Sequence, residues 1–209
     1  QIVYDVKCSR KLVDVIREKG GEPTISATGH SLVKAKLRQT NAPLAGEMSG
    51  HIFFNDERWF GFDDGLYAAL RLLEILSRSD DPSKTLSDLP SAVNTPELQI
   101  PTAEGENKRF IERLRNEAKF PDAKDVIRVD GLRVEWEDGF ALARSSNTTP
   151  VVVVRLEGDT PEALARIPAE RRPKILHQTG KNRDEAVRAK YRELGVEADV
   201  VPFITDMAG

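Results

Sequence analysis

Two short segments of this 209-residue chain hold side chains whose types and spacing could do chemistry. Gly46-Glu47-Met48-Ser49-Gly50-His51 sets a carboxylate, a hydroxyl and an imidazole within six residues. A glycine before Glu47 and another before His51 let the backbone turn tightly and approach a ligand. Such a set could grip a polyol, and the same composition also suits a plain strand-to-loop turn. Arg144-Ser145-Ser146-Asn147-Thr148-Thr149-Pro150 joins a guanidinium, four hydroxyls and an amide. The guanidinium offers a planar fork to a phosphate, and hydroxyls with backbone N–H groups can cradle the other oxygens. A polar hairpin tip is the alternative, because serine and threonine are ordinary turn residues.

The elements that must position the first segment follow an alternating pattern. Ile2 to Val6 reads as a strand, Arg10 to Lys19 as an amphipathic helix ended by Gly20-Gly21, and Glu22 to Ala27 as a second strand. Thr28-Gly29-His30-Ser31 leads into a helix with Leu32, Val33 and Leu37 at helical spacing, and Pro43-Leu44-Ala45 leads to the Glu47 loop. This order is that of an α/β unit with a mainly parallel sheet. Ligands gather at the carboxyl ends of such strands, where Lys7, His30 and Glu47 fall. Leu66 to Leu76 is apolar nearly all round and is expected to be a buried helix.

From Ser77 to Pro101 the texture becomes that of a linker, with prolines at 82, 90, 96 and 101. Beyond it, Lys108 to Arg115 predicts a helix with Phe110, Ile111 and Leu114 inward. Val126 to Val129 and Arg133 to Trp136 predict strands turned at Asp130-Gly131. Phe140 to Ala143 enters the Arg144 loop, Val151 to Leu156 leaves it, and Thr160-Pro161-Glu162 starts a capped helix. Together these predict a second, α+β domain.

Composition narrows the class. An apolar content of 39% supports real cores. The apolar run at 66–76 carries Arg71 and Glu74 and is too short to span a bilayer, and the N-terminus lacks a signal pattern, so a cytoplasmic protein is the default expectation. Cys8 is the single cysteine, which excludes an intrachain disulfide and a cysteine-based zinc cluster. Thirty-one basic against 34 acidic residues, without clustered basic surfaces, argue against nucleic acid and leave room for a small phosphate-bearing ligand. Because Gln1 to Val6 begins directly in a strand-like run without methionine, a missing N-terminal part is expected.

The two loops resemble those of the bacterial α-D-phosphohexomutases, in the phosphomannomutase/phosphoglucomutase branch. Gly46 to His51 is similar to that family's sugar-binding loop in its third domain, and Arg144 to Pro150 to its phosphate-binding loop in the fourth. Tyr4-Asp5-Val6-Lys7, Thr28-Gly29-His30-Ser31 and the stretch from Arg58 to Gly65 extend the likeness over about residues 1–167. The related glucosamine-phosphate branch usually has glutamine where Met48 stands and glycine-threonine-glutamate where Asn147-Thr148-Thr149 stands. The implied domains are a sugar-binding α/β domain at 1–79, a linker at 80–95 and a phosphate-binding α+β domain at 96–167.

The resemblance implies that Glu47 and Ser49 bind adjacent sugar hydroxyls, with Lys7, His30 and His51 lining the same site. Arg144, Ser146, Asn147 and Thr148 would hold the phosphate that is not being transferred. Lys7 and His30 are candidates to assist proton transfer. The family interconverts hexose 1-phosphate and 6-phosphate through a bisphosphate, using a phosphoserine in its first domain and magnesium in its second. Neither feature is found here: Asp63-Asp64-Gly65 and Asp80-Asp81 lack the acidic spacing of that metal loop and read as turns or helix starts. The chain is therefore expected to hold no metal, to need the missing N-terminal domains and to be inactive alone, with a hexose phosphate as its ligand.

After Ile167 the reading changes. Lys174-Ile175-Leu176-His177-Gln178-Thr179-Gly180, a helix opened by Asn182, and Val200-Val201-Pro202-Phe203-Ile204 form a short βαβ fragment over 168–209. It resembles part of the nucleotide-binding half of the peptidoglycan UDP-N-acetylglucosamine transferase, which would set Phe203 and Ile204 against the uracil. The alternative is that His177 and Gln178 merely end a strand. Two partial enzymes in one chain imply a chimera.

Overall fold

The computed structural model describes residues 1–165, 175–178, 185, 188–189, 192 and 198–201. Two compact units result, one formed by Gln1–Ala92 with Asp125–Val134 and the other by Val93–Lys124 with Glu135–Gly209. The first unit runs β1 (Ile2–Asp5), α1 (Lys11–Glu18), β2 (Pro23–Ser26), α2 (His30–Thr40), β3 (Leu44–Gly46), β4 (Ile52–Asp56), β5 (Trp59–Asp63), α3 (Gly65–Ser77) and α4 (Pro82–Ser87). Its sheet order is β2-β1-β3-β4-β5. The β1 strand is parallel to β2 and β3, whereas β4 and β5 are antiparallel additions, so the expected mainly parallel sheet is a mixed one.

Alternation along β1 explains the layers. Val3 joins Val33, Leu37, Ala45 and Phe53 in one buried cluster, and its neighbour Tyr4 joins Ile16 and Cys8 in the other. Successive strand residues face opposite sides, so α2 covers one face through Val33 and Leu37 and α1 the other through Ile16. Burying each such side chain contributes about 1.5–3 kcal/mol.

The helix α3 departs from expectation. Asp64 caps it by accepting from Tyr67 N–H at 2.9 Å, yet none of its residues is buried, and Leu66, Leu70, Leu73 and Ile75 are exposed. Its contacts use another stripe. Tyr67 stacks on Trp59 with ring centroids 4.1 Å apart, and Arg71 lies 4.5 Å from the Phe54 ring while pairing with Asp56 at 2.7 Å. An all-round apolar pattern reports that a helix could be buried, not which side is covered.

The remaining elements are β6 (Val93–Asn94), β7 (Leu98–Pro101), α5 (Glu106–Glu117), β8 (Asp125–Ile127), β9 (Leu132–Trp136), β10 (Gly139–Ser145), β11 (Val151–Gly158), α6 (Pro161–Leu164), β12 (Ile175–Gln178) and β13 (Ala198–Val201). The stretch read as a linker, 80–95, thus carries α4 and β6. The second sheet has the order β6-β11-β10-β9-β8, with β7 also on β11. Asp130-Gly131 turns the chain between β8 and β9, with Gly131 at φ 77°, a conformation other residues rarely adopt. In α5 the inward side holds Asn107 and Ile111, while Phe110, expected inside, is exposed. The β12 and β13 strands pair in parallel from Ile175↔Ala198 to Gln178↔Val201. Phe203, Ile204 and the helix opened by Asn182 lie outside the described residues, isolated positions of that helix excepted.

Candidate functional site

Three strand ends of the first unit meet as expected. Glu47 follows β3 and is 8% exposed. Its Oε1 accepts from Gly29 N–H at 2.6 Å, and its Oε2 accepts from the Ser49 hydroxyl at 3.2 Å. Gly29 is the residue before α2 and has φ 132°, which a side chain would resist. The carboxylate therefore sits at the positive end of α2, where N–H groups and the helix dipole favour an anion. The loop closes on itself, with Glu47 N–H donating to His51 O at 2.9 Å and Gly50 N–H to Glu47 O at 3.0 Å.

Lys7 lies in the turn after β1, which Cys8 N–H closes onto Asp5 O at 3.0 Å. Arg133, 1% exposed, donates through Nη1 to Val6 O at 2.6 Å and Cys8 O at 2.7 Å, the two carbonyls flanking Lys7. Asp130 accepts from Thr28 N–H at 3.0 Å, two residues before His30. Asp5, fully buried, accepts from Met48 N–H, from the Thr28 hydroxyl and from the Cys8 thiol. Burial and the Asp5 carboxylate push that thiol far above the usual range, so it serves as a donor and not as a thiolate.

His30 and His51 come together over Asp63. The rings stand edge to face, 5.8 Å apart, and His51 Nδ1 lies 2.6 Å from Asp63 Oδ2, with His30 Nε2 at 3.6 Å from the same oxygen. A carboxylate oxygen accepts, so Nδ1 of His51 carries the proton and Nε2 is the nitrogen left for other chemistry. Asp63, expected only as a turn or helix start, therefore anchors this pair. At the far end of β4, on the turn into β5, the Arg71 hydrogen bond holds the Asp56 carboxyl below the usual carboxylate range.

In the second unit the β10–β11 register runs from Gly139↔Gly158 to Ser145↔Val152. Arg144, expected in the loop, is in β10. Period-two alternation puts it on the buried side with Phe140 and Leu142, and it is 5% exposed. The turn beyond is organised by Ser146, whose Oγ accepts from Thr149 Oγ1 at 3.0 Å and from Thr148 and Thr149 N–H, each at 3.3 Å. Asn107, 3% exposed, reaches from α5 with its Nδ2 3.3–3.5 Å from the carbonyls of Ser146, Thr149 and Val151. A pocket of about 120 Å³ is lined by Ser146, Asn147, Thr148 and Thr149 together with Asn107 and Lys108.

Sequence reasoning missed Asp5, Asp130, Arg133 and Asn107. Asp5 had one local signal, an acid at the inward end of a predicted strand beside Lys7; the others had none. Among the described residues no group of three or more His, Cys, Asp and Glu could hold a metal ion. Among the same residues no helix is long and apolar enough to cross a membrane.

Comparison with known proteins bears on the whole arrangement. The family described as phosphoglucomutase/phosphomannomutase, alpha/beta/alpha domain III, matches residues 1–94, and its C-terminal domain matches residues 97–174. The chain is 54% identical over 168 residues to a phosphoglucomutase of Neisseria gonorrhoeae, covering 80% of this chain and 36% of that protein. It is 50% identical over 167 residues to a phosphomannomutase/phosphoglucomutase of Pseudomonas aeruginosa, covering 79% and 36%. A crystal structure of a phosphoglucomutase/phosphomannomutase family protein from Burkholderia thailandensis superposes with a TM-score of 0.74 at 55% identity, over 93% of this chain and 38% of that one. The chain thus spans about a third of the length of the relatives it matches. None of these matches supports the glycosyltransferase likeness expected for 168–209, and the C-terminal-domain match continues past Ile167 to residue 174. Two successive domains of one architecture make this chain a member of the phosphoglucomutase/phosphomannomutase family.

Proposed function

We propose that this chain carries the sugar- and phosphate-recognising part of a phosphohexomutase, which moves a phosphoryl group between C1 and C6 of mannose or glucose through a bisphosphate. One observation carries the reading: Glu47 and Ser49 form an acceptor and a donor–acceptor 3.2 Å apart at the carboxyl ends of parallel strands. That pair matches two neighbouring sugar hydroxyls. The names of the relatives supply the substrates.

In this reading Glu47 and Ser49 take adjacent hydroxyls, with Lys7, His30 and His51 lining the same site. Arg144, Ser146, Asn147 and Thr148 take the phosphate that is not transferred. Lys7 and His30 assist proton transfer at the reacting oxygen. The sugar-binding domain covers 1–79 and the phosphate-binding domain 96–167, joined by 80–95. The phosphoserine and magnesium of the reaction belong to other domains of such an enzyme, so the 209 residues tested alone bind without turnover.

Calorimetry with mannose 1-phosphate tests this. Saturable binding that weakens about tenfold or more in Arg144→Ala and in Glu47→Ala is expected, as for loss of a charged hydrogen-bonding partner. Absent binding, or binding indifferent to both substitutions, overturns the reading. Turnover of glucose 1-phosphate by the chain alone would sink the assignment of catalysis to other domains.

A further inference from the structure

Asp5 is not among the groups assigned to the ligand, yet it is bonded to all three segments that carry them. Its Oδ1 accepts from Met48 N–H at 3.2 Å and from Cys8 Sγ at 3.0 Å, and its Oδ2 accepts from Thr28 Oγ1 at 2.9 Å. Met48 stands between Glu47 and Ser49, Cys8 follows Lys7, and Thr28 precedes the Gly29 amide that bonds Glu47. The side chain is fully buried. An acid there is costly unless its oxygens are occupied, and apolar residues would serve a strand core better. The strands themselves do not need it: β1 is held to β2 and β3 by backbone pairing that ends at Asp5↔Ser26 and Tyr4↔Gly46. What lies beyond that pairing is the loops.

We infer that Asp5 is a positioning residue that locks the three strand-end loops in one arrangement, so that Lys7, His30 and the Glu47–Ser49 pair are presented to a sugar phosphate together. The inference rests on the sugar-phosphate reading above. Asparagine can keep the geometry without the charge, since its oxygen still accepts from Met48 N–H and its NH2 can donate to the Thr28 hydroxyl, which then accepts. Alanine breaks all three links.

The test uses the 209-residue chain with two probes, mannose 1-phosphate and inorganic phosphate, by calorimetry, and with amide NMR of Met48 and Gly29. Asp5→Ala is expected to weaken mannose 1-phosphate binding about tenfold, to shift both amides and to leave inorganic phosphate binding unchanged. Asp5→Asn is expected to recover binding to within about threefold of wild type. Unchanged sugar-phosphate binding in Asp5→Ala overturns the inference, as does an equal loss for both probes, which would mark general destabilisation, or an Asp5→Asn as weak as alanine. Should Asp5→Ala fail to fold, Thr28→Val removes one of the three donors. A weakening of about threefold supports the inference and wild-type binding overturns it. A wild-type chain that does not bind mannose 1-phosphate sinks the functional reading itself, an outcome distinct from wild-type binding that Asp5→Ala leaves intact.

Discussion

The candidate sugar residues and the candidate phosphate residues are held by different kinds of architecture. In the first unit Lys7, His30 and Glu47 come from three separate segments, and the bonds that hold them cross long stretches of sequence: Asp5 to Met48 over 43 residues, Thr28 to Asp130 over 102, Val6 to Arg133 over 127. In the second unit Ser146 to Thr149 form one turn between paired strands, and Ser146 bonds partners two and three residues away. Parallel strands need long crossovers, so residues at their ends are distant in sequence and no turn holds them in register. Charged side chains do it instead, with Asp5 and Arg133 buried and Asp130 half-buried. A hairpin brings its residues together through strand pairing, and one amide, Asn107, braces it from behind.

The comparison breaks most directly at Arg133. Replacing it with alanine leaves the carbonyls of Val6 and Cys8 without a charged donor, and urea unfolding should show a loss of about 2–4 kcal/mol. A loss below about 1 kcal/mol would mean that the long-range bonds of the first unit are dispensable. Asn107→Ala is expected to cost less, about 1–2 kcal/mol, because its three contacts are long and the hairpin register survives it. Hydrogen exchange should then speed up at Val151 N–H, which bonds Thr149 O, and stay slow along the strand pairing. Exchange rising throughout β10 and β11 would show that the hairpin depends on its brace as much as the first unit does.

The smallest effect sharpens the contrast between fully buried and half-buried charge. Arg71 lowers the Asp56 pKa in the folded chain, so the pair stabilises the fold above the unfolded carboxylate value and that contribution is lost as pH falls through the folded value. Asp56→Asn should cost at most about 1 kcal/mol at pH 7, as for a partly exposed ion pair. The gap to wild type should begin to narrow below about pH 4, near the reference value for an aspartate, and close as pH falls through the lower folded value. A gap that did not narrow at all, down to the most acidic pH at which the chain stays folded, would show that Asp56 acts through something other than its charge.

Much of the fold was legible from local pattern. The β1-α1-β2-α2-β3 order, the helices α3 and α5, the strands from β8 to β11, the Asp64 and Thr160 caps and the Asp130-Gly131 turn follow from periodicities and end signals carried by near neighbours, whereas β4, β5, α4, β6 and β7 were not read. The two loops were legible for the same reason, because a carboxylate, hydroxyls and a guanidinium so closely spaced declare their chemistry. What failed depended on which face found a partner. Leu70 and Phe110 read as inward but are exposed, while Arg144 read as a loop residue and lies buried in a strand.

The sequence by itself thus determined the family, much of the element order and the loops that offer ligand chemistry. Tertiary structure alone decided how those loops are held. It brought Asp5 to three loops at once, Arg133 to the carbonyls around Lys7, Asp63 to two histidines and Asn107 to the back of the hairpin. Hydrogen bonds between residues far apart in the chain leave no periodic trace, since they depend on where the backbone returns and not on what stands beside each residue.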